Sequence, residues 1–131
     1  MSIQFFIPAV PVAQGSKRAF VVGKRAVIVD TNKDKIRDFR ATVSDVAAPY
    51  VGRFPKDTAV FLEATFYLPR PKSVRRKHPT VAPDSDKLDR ALRDALTVAG
   101  VWADDSQVVK AHILKEYAAK PGVHVTLVEL A

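Results

Sequence analysis

Residues 58–68 read Thr58-Ala59-Val60-Phe61-Leu62-Glu63-Ala64-Thr65-Phe66-Tyr67-Leu68, and this run decides the fold class. β-Branched and aromatic residues favour the pleated chain, and Pro69 stops it, so the run reads as a long, largely buried strand. C-terminal to it, Arg70–Thr80 is broken by Pro71 and Pro79 and carries Arg70, Lys72, Arg75, Arg76 and Lys77, which makes it a basic loop. From about Asp86 to Ala99 the period changes: Leu88, Ala91, Leu92, Ala95 and Leu96 recur at spacings of three and four, and Gly100 supplies the stop. A strand near Val108–Tyr117, a turn at Lys120-Pro121-Gly122 and a last strand from Val123 to Leu130 follow, and these two strands read as a hairpin.

N-terminal to the central run, Ile3–Pro8 reads as a first strand, and Phe20–Val22 with Ala26–Val29 as a hairpin turning at Gly23-Lys24. From Thr31 or Asn32, either able to cap, to about Ala47, the residues Ile36, Phe39, Val43 and Val46 mark an amphipathic helix closed by Pro49. The expected fold is α+β: a single domain over 1–131, with a mixed or mainly antiparallel sheet and two helices packed on it. A chain of 131 residues buries a core without staples and has no room for a second domain.

The chain has no cysteine, which excludes disulfides and thiolate zinc sites and fits a reducing cytoplasm. No apolar run reaches membrane-spanning length, and Met1-Ser2-Ile3-Gln4 lacks the features of a signal peptide, so a protein inside the cell and off the membrane is expected. The net charge of +7 points to a polyanion, nucleic acid ahead of membrane. Between positions 84 and 105, however, lie six of the 14 acids (Asp84, Asp86, Asp89, Asp94, Asp104 and Asp105) against Lys87, Arg90 and Arg93. The rest of the chain then carries a balance of +10. An acidic island in a basic chain suits a cation site set against a phosphate backbone; an acidic first helical turn is the plainer reading.

Asp84 and Asp86 stand two apart where an extended chain enters a helix, so their carboxylates can converge near the helix start. The alternative is a cap with a solvated neighbour. Asp104 and Asp105 lie beyond the far end of a helix about 21 Å long and must return along the chain to join them. Carboxylates without histidine form a hard-oxygen site for Mg²⁺, or Mn²⁺ in its place, and imply phosphodiester hydrolysis. Arg90, four residues after Asp86, either pairs with it or reaches a phosphate. Lys87 points elsewhere, Asp89 and Asp94 read as outer-face charges, with Asp94 able to touch the site if the helix lies close, and Trp102 reads as a core plug. His78, His112 and His124 have no metal spacing. Gly15-Ser16-Lys17-Arg18 lacks the phosphate-loop pattern, so no nucleotide cofactor is expected, and Ser16 has no triad partners by spacing.

The ordered block Asp84-Ser85-Asp86-Lys87-Leu88, Asp94-Ala95-Leu96 and Gly100-Val101-Trp102-Ala103-Asp104-Asp105-Ser106-Gln107-Val108-Val109 resembles the signature of the RusA family of Holliday junction resolvases. The resemblance implies a homodimeric, Mg²⁺-dependent endonuclease of DNA recombination and repair, in a bacterial or phage-infected cell, that nicks four-way junctions symmetrically. It places the catalytic acids on Asp84, Asp86 and Asp105, with Asp104 as a further ligand or orienting carboxylate, and the catalytic basic residue on Arg90. The family pattern has lysine at that position and asparagine at Lys87. Arginine clamps phosphate well and does not readily give up a proton, which favours electrostatic stabilisation over acid catalysis there. Paired nicks across a two-fold axis give the dimer its purpose. Lys17, Arg18, Lys24, Arg25, Arg70, Lys72, Arg75, Arg76, Lys77 and Lys87 are the expected grip on the junction arms. A non-catalytic junction binder and a broader fork or flap nuclease are the alternatives.

Overall fold

The structure, a computed structural model, describes residues 1–15, 17–30 and 32–131, by backbone alone for 17–20 and 27–30. Strand β1 (Ser2–Ile7) is followed by the hairpin β2 (Lys17–Val22) and β3 (Arg25–Asp30), helix α1 (Lys33–Ala47), and strand β4 (Ala59–Leu68). Helix α2 (Ser85–Ala99) and strands β5 (Val108–Tyr117) and β6 (Gly122–Leu130) complete the chain. Four strands form one sheet in the order β1-β6-β4-β5, while β2 and β3 form a separate ribbon. β6 runs antiparallel to both β1 and β4, whereas β5 runs parallel to β4. The fold is α+β, with a mixed, mostly antiparallel sheet.

The alternation of β4 turns Val60, Leu62, Ala64, Phe66 and Leu68 into the core while Phe61, Glu63, Thr65 and Tyr67 face the other way. Val123, Val125 and Leu127 of β6 and Ile3, Phe5 and Ile7 of β1 join them. Phe39 and Val43 of α1 and Leu88, Leu92 and Leu96 of α2 cover this same face in one cluster. Each fully buried leucine there contributes about 2 kcal/mol through the water it sheds. Gly100 ends α2 in the left-handed region (φ 79°), where its N–H reaches the carbonyls of Leu96 and Thr97. Among the described residues no helix is long and apolar enough to cross a membrane.

One expectation needs correction. β5 and β6 are not a hairpin: β4 lies between them, and the link between β5 and β6 crosses its end, where the Ala118 N–H donates to Leu68 O at 3.0 Å. The reason is burial. β6 presents valines and a leucine to the core and takes a central place, while β5 exposes Val109, Lys110, Ala111 and His112 and takes the edge. Of the two capping candidates, Asn32 makes no side-chain capping bond and its amide donates to Ala13 O at 2.9 Å, while Thr31 lies outside the described residues.

Candidate active site

The chain reaches α2 through residues 81–83, and a lysine from the sheet holds them. Lys115 Nζ donates to Val81 O at 3.0 Å and to Pro83 O at 2.9 Å. Asp84 then occupies the N-cap position with extended backbone, yet its carboxylate makes no capping bond. Its oxygens are therefore not committed to the helix, although the positive end of the helix dipole favours their charge. Asp86 stands in the first turn, and both carboxylates are exposed. Lys87 does not point away as expected: its Nζ lies 3.8 Å from Asp84 Oδ2, with both side chains partly in solvent.

Arg90 forms no ion pair with Asp86 among the described residues. Its guanidinium lies against Gly15, where a Cβ would come within 2.7 Å of Arg90 Nη1. Gly15 sits at φ +101°, a conformation that glycine adopts without strain, so the residue is suited to this place on two counts. Just before it, the Gln14 N–H donates to Lys87 O at 3.0 Å, which fastens this segment across the first turn of α2.

Asp94 is already engaged. Gln14 donates to its carboxylate, and Arg40 Nη2 stands 3.8 Å from it, tying α1 to α2. Asp89 is no outer-face charge either: Arg93 Nε bonds both of its oxygens, at 2.9 and 3.0 Å, in a partly buried pair.

The second pair of acids is built by the far end of α2. Trp102 is buried, as a core plug should be, and its indole N–H donates to Thr97 Oγ1 at 2.7 Å. Gln107, buried in the strand approach, receives the N–H groups of Ala103 (2.8 Å) and Asp104 (3.0 Å) on its carbonyl. Its amide in turn donates to Pro55 O at 2.9 Å and Thr58 O at 3.0 Å. Between these anchors, Asp104 caps the short 3₁₀ turn Asp105–Gln107, accepting from the backbone N–H and the hydroxyl of Ser106. The Ser106 hydroxyl and backbone N–H hold the Asp104 carboxyl below its ordinary value. Asp104 is thus partly committed to its own turn, while Asp105 has no such role.

The structure does not bring the two pairs together within one chain. α2 runs against the parallel strands β4 and β5, so Asp84 and Asp86 sit by their C-terminal ends and Asp104 and Asp105 by the start of β5. The helix rise puts them about 20 Å apart, and the seven residues from Val108 to Lys115 give about 23 Å. Among the described residues no three His, Cys, Asp or Glu side chains gather where they could hold a metal ion.

Of the expected DNA contacts, Arg70, Lys72, Arg75, Arg76 and Lys77 lie on the loop leaving β4, at the Asp84 end of the sheet, all exposed. Lys24 and Arg25 are exposed at the β2–β3 turn. The side chains of Lys17 and Arg18 lie outside the described residues. Lys115 was missed on reading the sequence; its local signal was its place two residues after Ile113, on the same face of the strand, while its pairing with Phe66 belongs to the tertiary structure.

Comparison of the sequence with known proteins finds relatives. The family described as Endodeoxyribonuclease RusA matches residues 8–128. The protein YqaN of Bacillus subtilis (strain 168) is 30% identical over 141 residues, which cover 98% of this chain and 97% of YqaN. The crossover junction endodeoxyribonuclease RusA of Escherichia coli (strain K12) is 44% identical over 48 residues, 36% of this chain and 40% of that protein. The corresponding protein of Enterobacteria phage 82 matches to the same extent.

Proposed function

Since the chain belongs to the RusA family of endodeoxyribonucleases, we propose that it resolves four-way DNA junctions by Mg²⁺-dependent hydrolysis, nicking two strands symmetrically as a homodimer in the cytoplasm. The observation that carries the reading is Asp84: a carboxylate at a helix N-cap that makes no capping bond, two residues from a second exposed carboxylate in the first turn. Asp84 and Asp86 are hard oxygen donors with no nitrogen or sulfur ligand in company, which fits Mg²⁺, or Mn²⁺, bound by one or two carboxylates and the substrate phosphate. The cation would supply Lewis-acid polarisation of the phosphodiester. Arg90, which forms no ion pair among the described residues, clamps a phosphate oxygen and stabilises charge developing there. Lys87 holds Asp84 until DNA arrives and then neutralises an adjacent phosphate.

The divided acids support the dimer. β5 is an edge strand whose exposed middle, Lys110–His112, is open to pairing. Antiparallel pairing of two β5 edges about a two-fold axis would set Asp104 and Asp105 of one protomer beside Asp84 and Asp86 of its partner, twice. Each site would then be complete only in the dimer.

A nicking assay on a four-way junction against linear duplex, with Mg²⁺ or with chelator, tests the function. Wild type is expected to make paired, metal-dependent cuts in the junction alone. Asp86→Asn is expected to bind the junction and lose cleavage by at least about 100-fold. Junction binding by wild type without cuts in any divalent metal would instead identify a non-catalytic binder, and cuts in forks or flaps a broader nuclease.

A further inference from the structure

The basic loop and the end of β5 form a structure that the reaction above does not use. The guanidinium carbon of Arg70 lies 5.1 Å from the centre of the Tyr117 ring, and that of Arg76 lies 5.9 Å from it. Arg76 Nε donates to the Tyr117 hydroxyl at 3.0 Å. Arg70 Nη2 donates to the carbonyls of Arg76 (2.9 Å) and Lys77 (3.3 Å), closing the loop on itself. The other N–H groups of both guanidinium ions have no protein acceptor among the described residues. Arg70, Lys72, Arg75, Arg76 and Lys77 form no ion pair there either.

Two cations gathered over one ring repel each other, so the arrangement gains most when an anion joins them. A cleft of about 640 Å³ opens beside Arg70, lined also by Lys77, His78, Glu116 and Tyr117; Arg76 is not on its wall and joins it through the Tyr117 hydroxyl. Planar donors held in advance beside a cleft match the oxygens of a phosphodiester, which arginine takes bidentately. With guanidinium groups over it, the ring serves the arginines rather than a nucleobase.

We infer that Arg70 and Arg76 form a seat for one backbone phosphate of the bound DNA, and that Tyr117 is the positioning residue that holds both guanidinium groups before DNA arrives. The inference rests on the nuclease reading above. Tyr117 and Lys115 are two residues apart on one side of β5, about 7 Å, and Lys115 carries the segment that leads into Asp84. A phosphate in the seat is therefore registered against Asp84 through a strand of the sheet. Glu116 also lines the cleft and opposes an anion there.

The test is fluorescence anisotropy of the full chain with a labelled four-way junction, in chelator, across a salt series. The double variant Arg70→Ala with Arg76→Ala, at two exposed positions, is expected to lower the slope of log affinity against log salt by about 0.9, the share of one phosphate. Tyr117→Leu is expected to weaken binding about five- to tenfold with the slope unchanged, because the charges remain and only their placement is lost. Tyr117→Phe keeps the ring and should keep most of the affinity, and Glu116→Gln should tighten binding. Wild-type affinity in Tyr117→Leu, or an unchanged slope in the double arginine variant, would overturn the seat. If Tyr117→Leu fails to fold by circular dichroism, the slope of the double arginine variant and Tyr117→Phe decide. Junction cutting by a wild type that Tyr117→Leu matches in binding removes the seat and leaves the nuclease reading. DNA binding that falls in Tyr117→Leu, from a wild type that cuts nothing, removes the reading and leaves the seat; a wild type that binds no DNA removes both.

Discussion

Gln107 shows how one side chain can explain part of a motif. Its amide satisfies backbone groups from two loops, near Ala103 and near Pro55, and it is buried while doing so. Gln107→Leu leaves those groups without partners and is expected to cost about 2–4 kcal/mol, lowering the melting temperature by about 10 °C in a thermal scan. The change should act on stability first, since Gln107 reaches Asp104 only through its backbone N–H. Lys115 plays the corresponding part at the other end of α2. Lys115→Met frees residues 81–83, so the Mg²⁺ needed for half-maximal cleavage is expected to rise about tenfold. Junction affinity in chelator should stay as in wild type; an unchanged Mg²⁺ dependence would show that Asp84 needs no such support.

The elements α2 and β5 do different work. α2 was readable from its apolar stripe and its terminal glycine, because both signals are local. β5 was readable as a strand but not as an edge: its charged residues mark an edge only once β6 is known to lie inside. That exposure is also what recommends β5 as the seam of the proposed dimer. His112 is exposed at mid-strand, so His112→Asp should leave the monomer's stability within about 0.5 kcal/mol. Across a two-fold axis it would set two carboxylates face to face, and sedimentation is expected to show loss of the dimer. A dimer of unchanged strength would place the seam elsewhere.

At the scale of the whole molecule, the separation of Asp84 and Asp86 from Asp104 and Asp105 makes a prediction that no single chain can meet. Asp86→Asn and Asp105→Asn should each be inactive alone. Mixed and allowed to exchange protomers, they form heterodimers in which one shared site is fully wild type, and nicking should return to about one quarter of the wild-type level, in one strand per junction. Sites contained within single protomers would stay dead in the mixture, since each chain would carry its own damaged acid.

The sequence by itself determined the kinds of element, the helix ends at Gly100 and Pro49, the two pairs of acids and the basic loop. Each of these depends on residues a few positions apart, through side-chain period, turn chemistry or charge. Only the tertiary structure decided that β6 lies between β1 and β4, that Lys115 supports the approach to Asp84, that Asp94 belongs to a helix-to-helix tie, and that the acid pairs stand at opposite ends of α2. Those outcomes depend on which strand buries most in the centre of the sheet and on the direction in which α2 returns the chain, and neither is a property of any short stretch of residues.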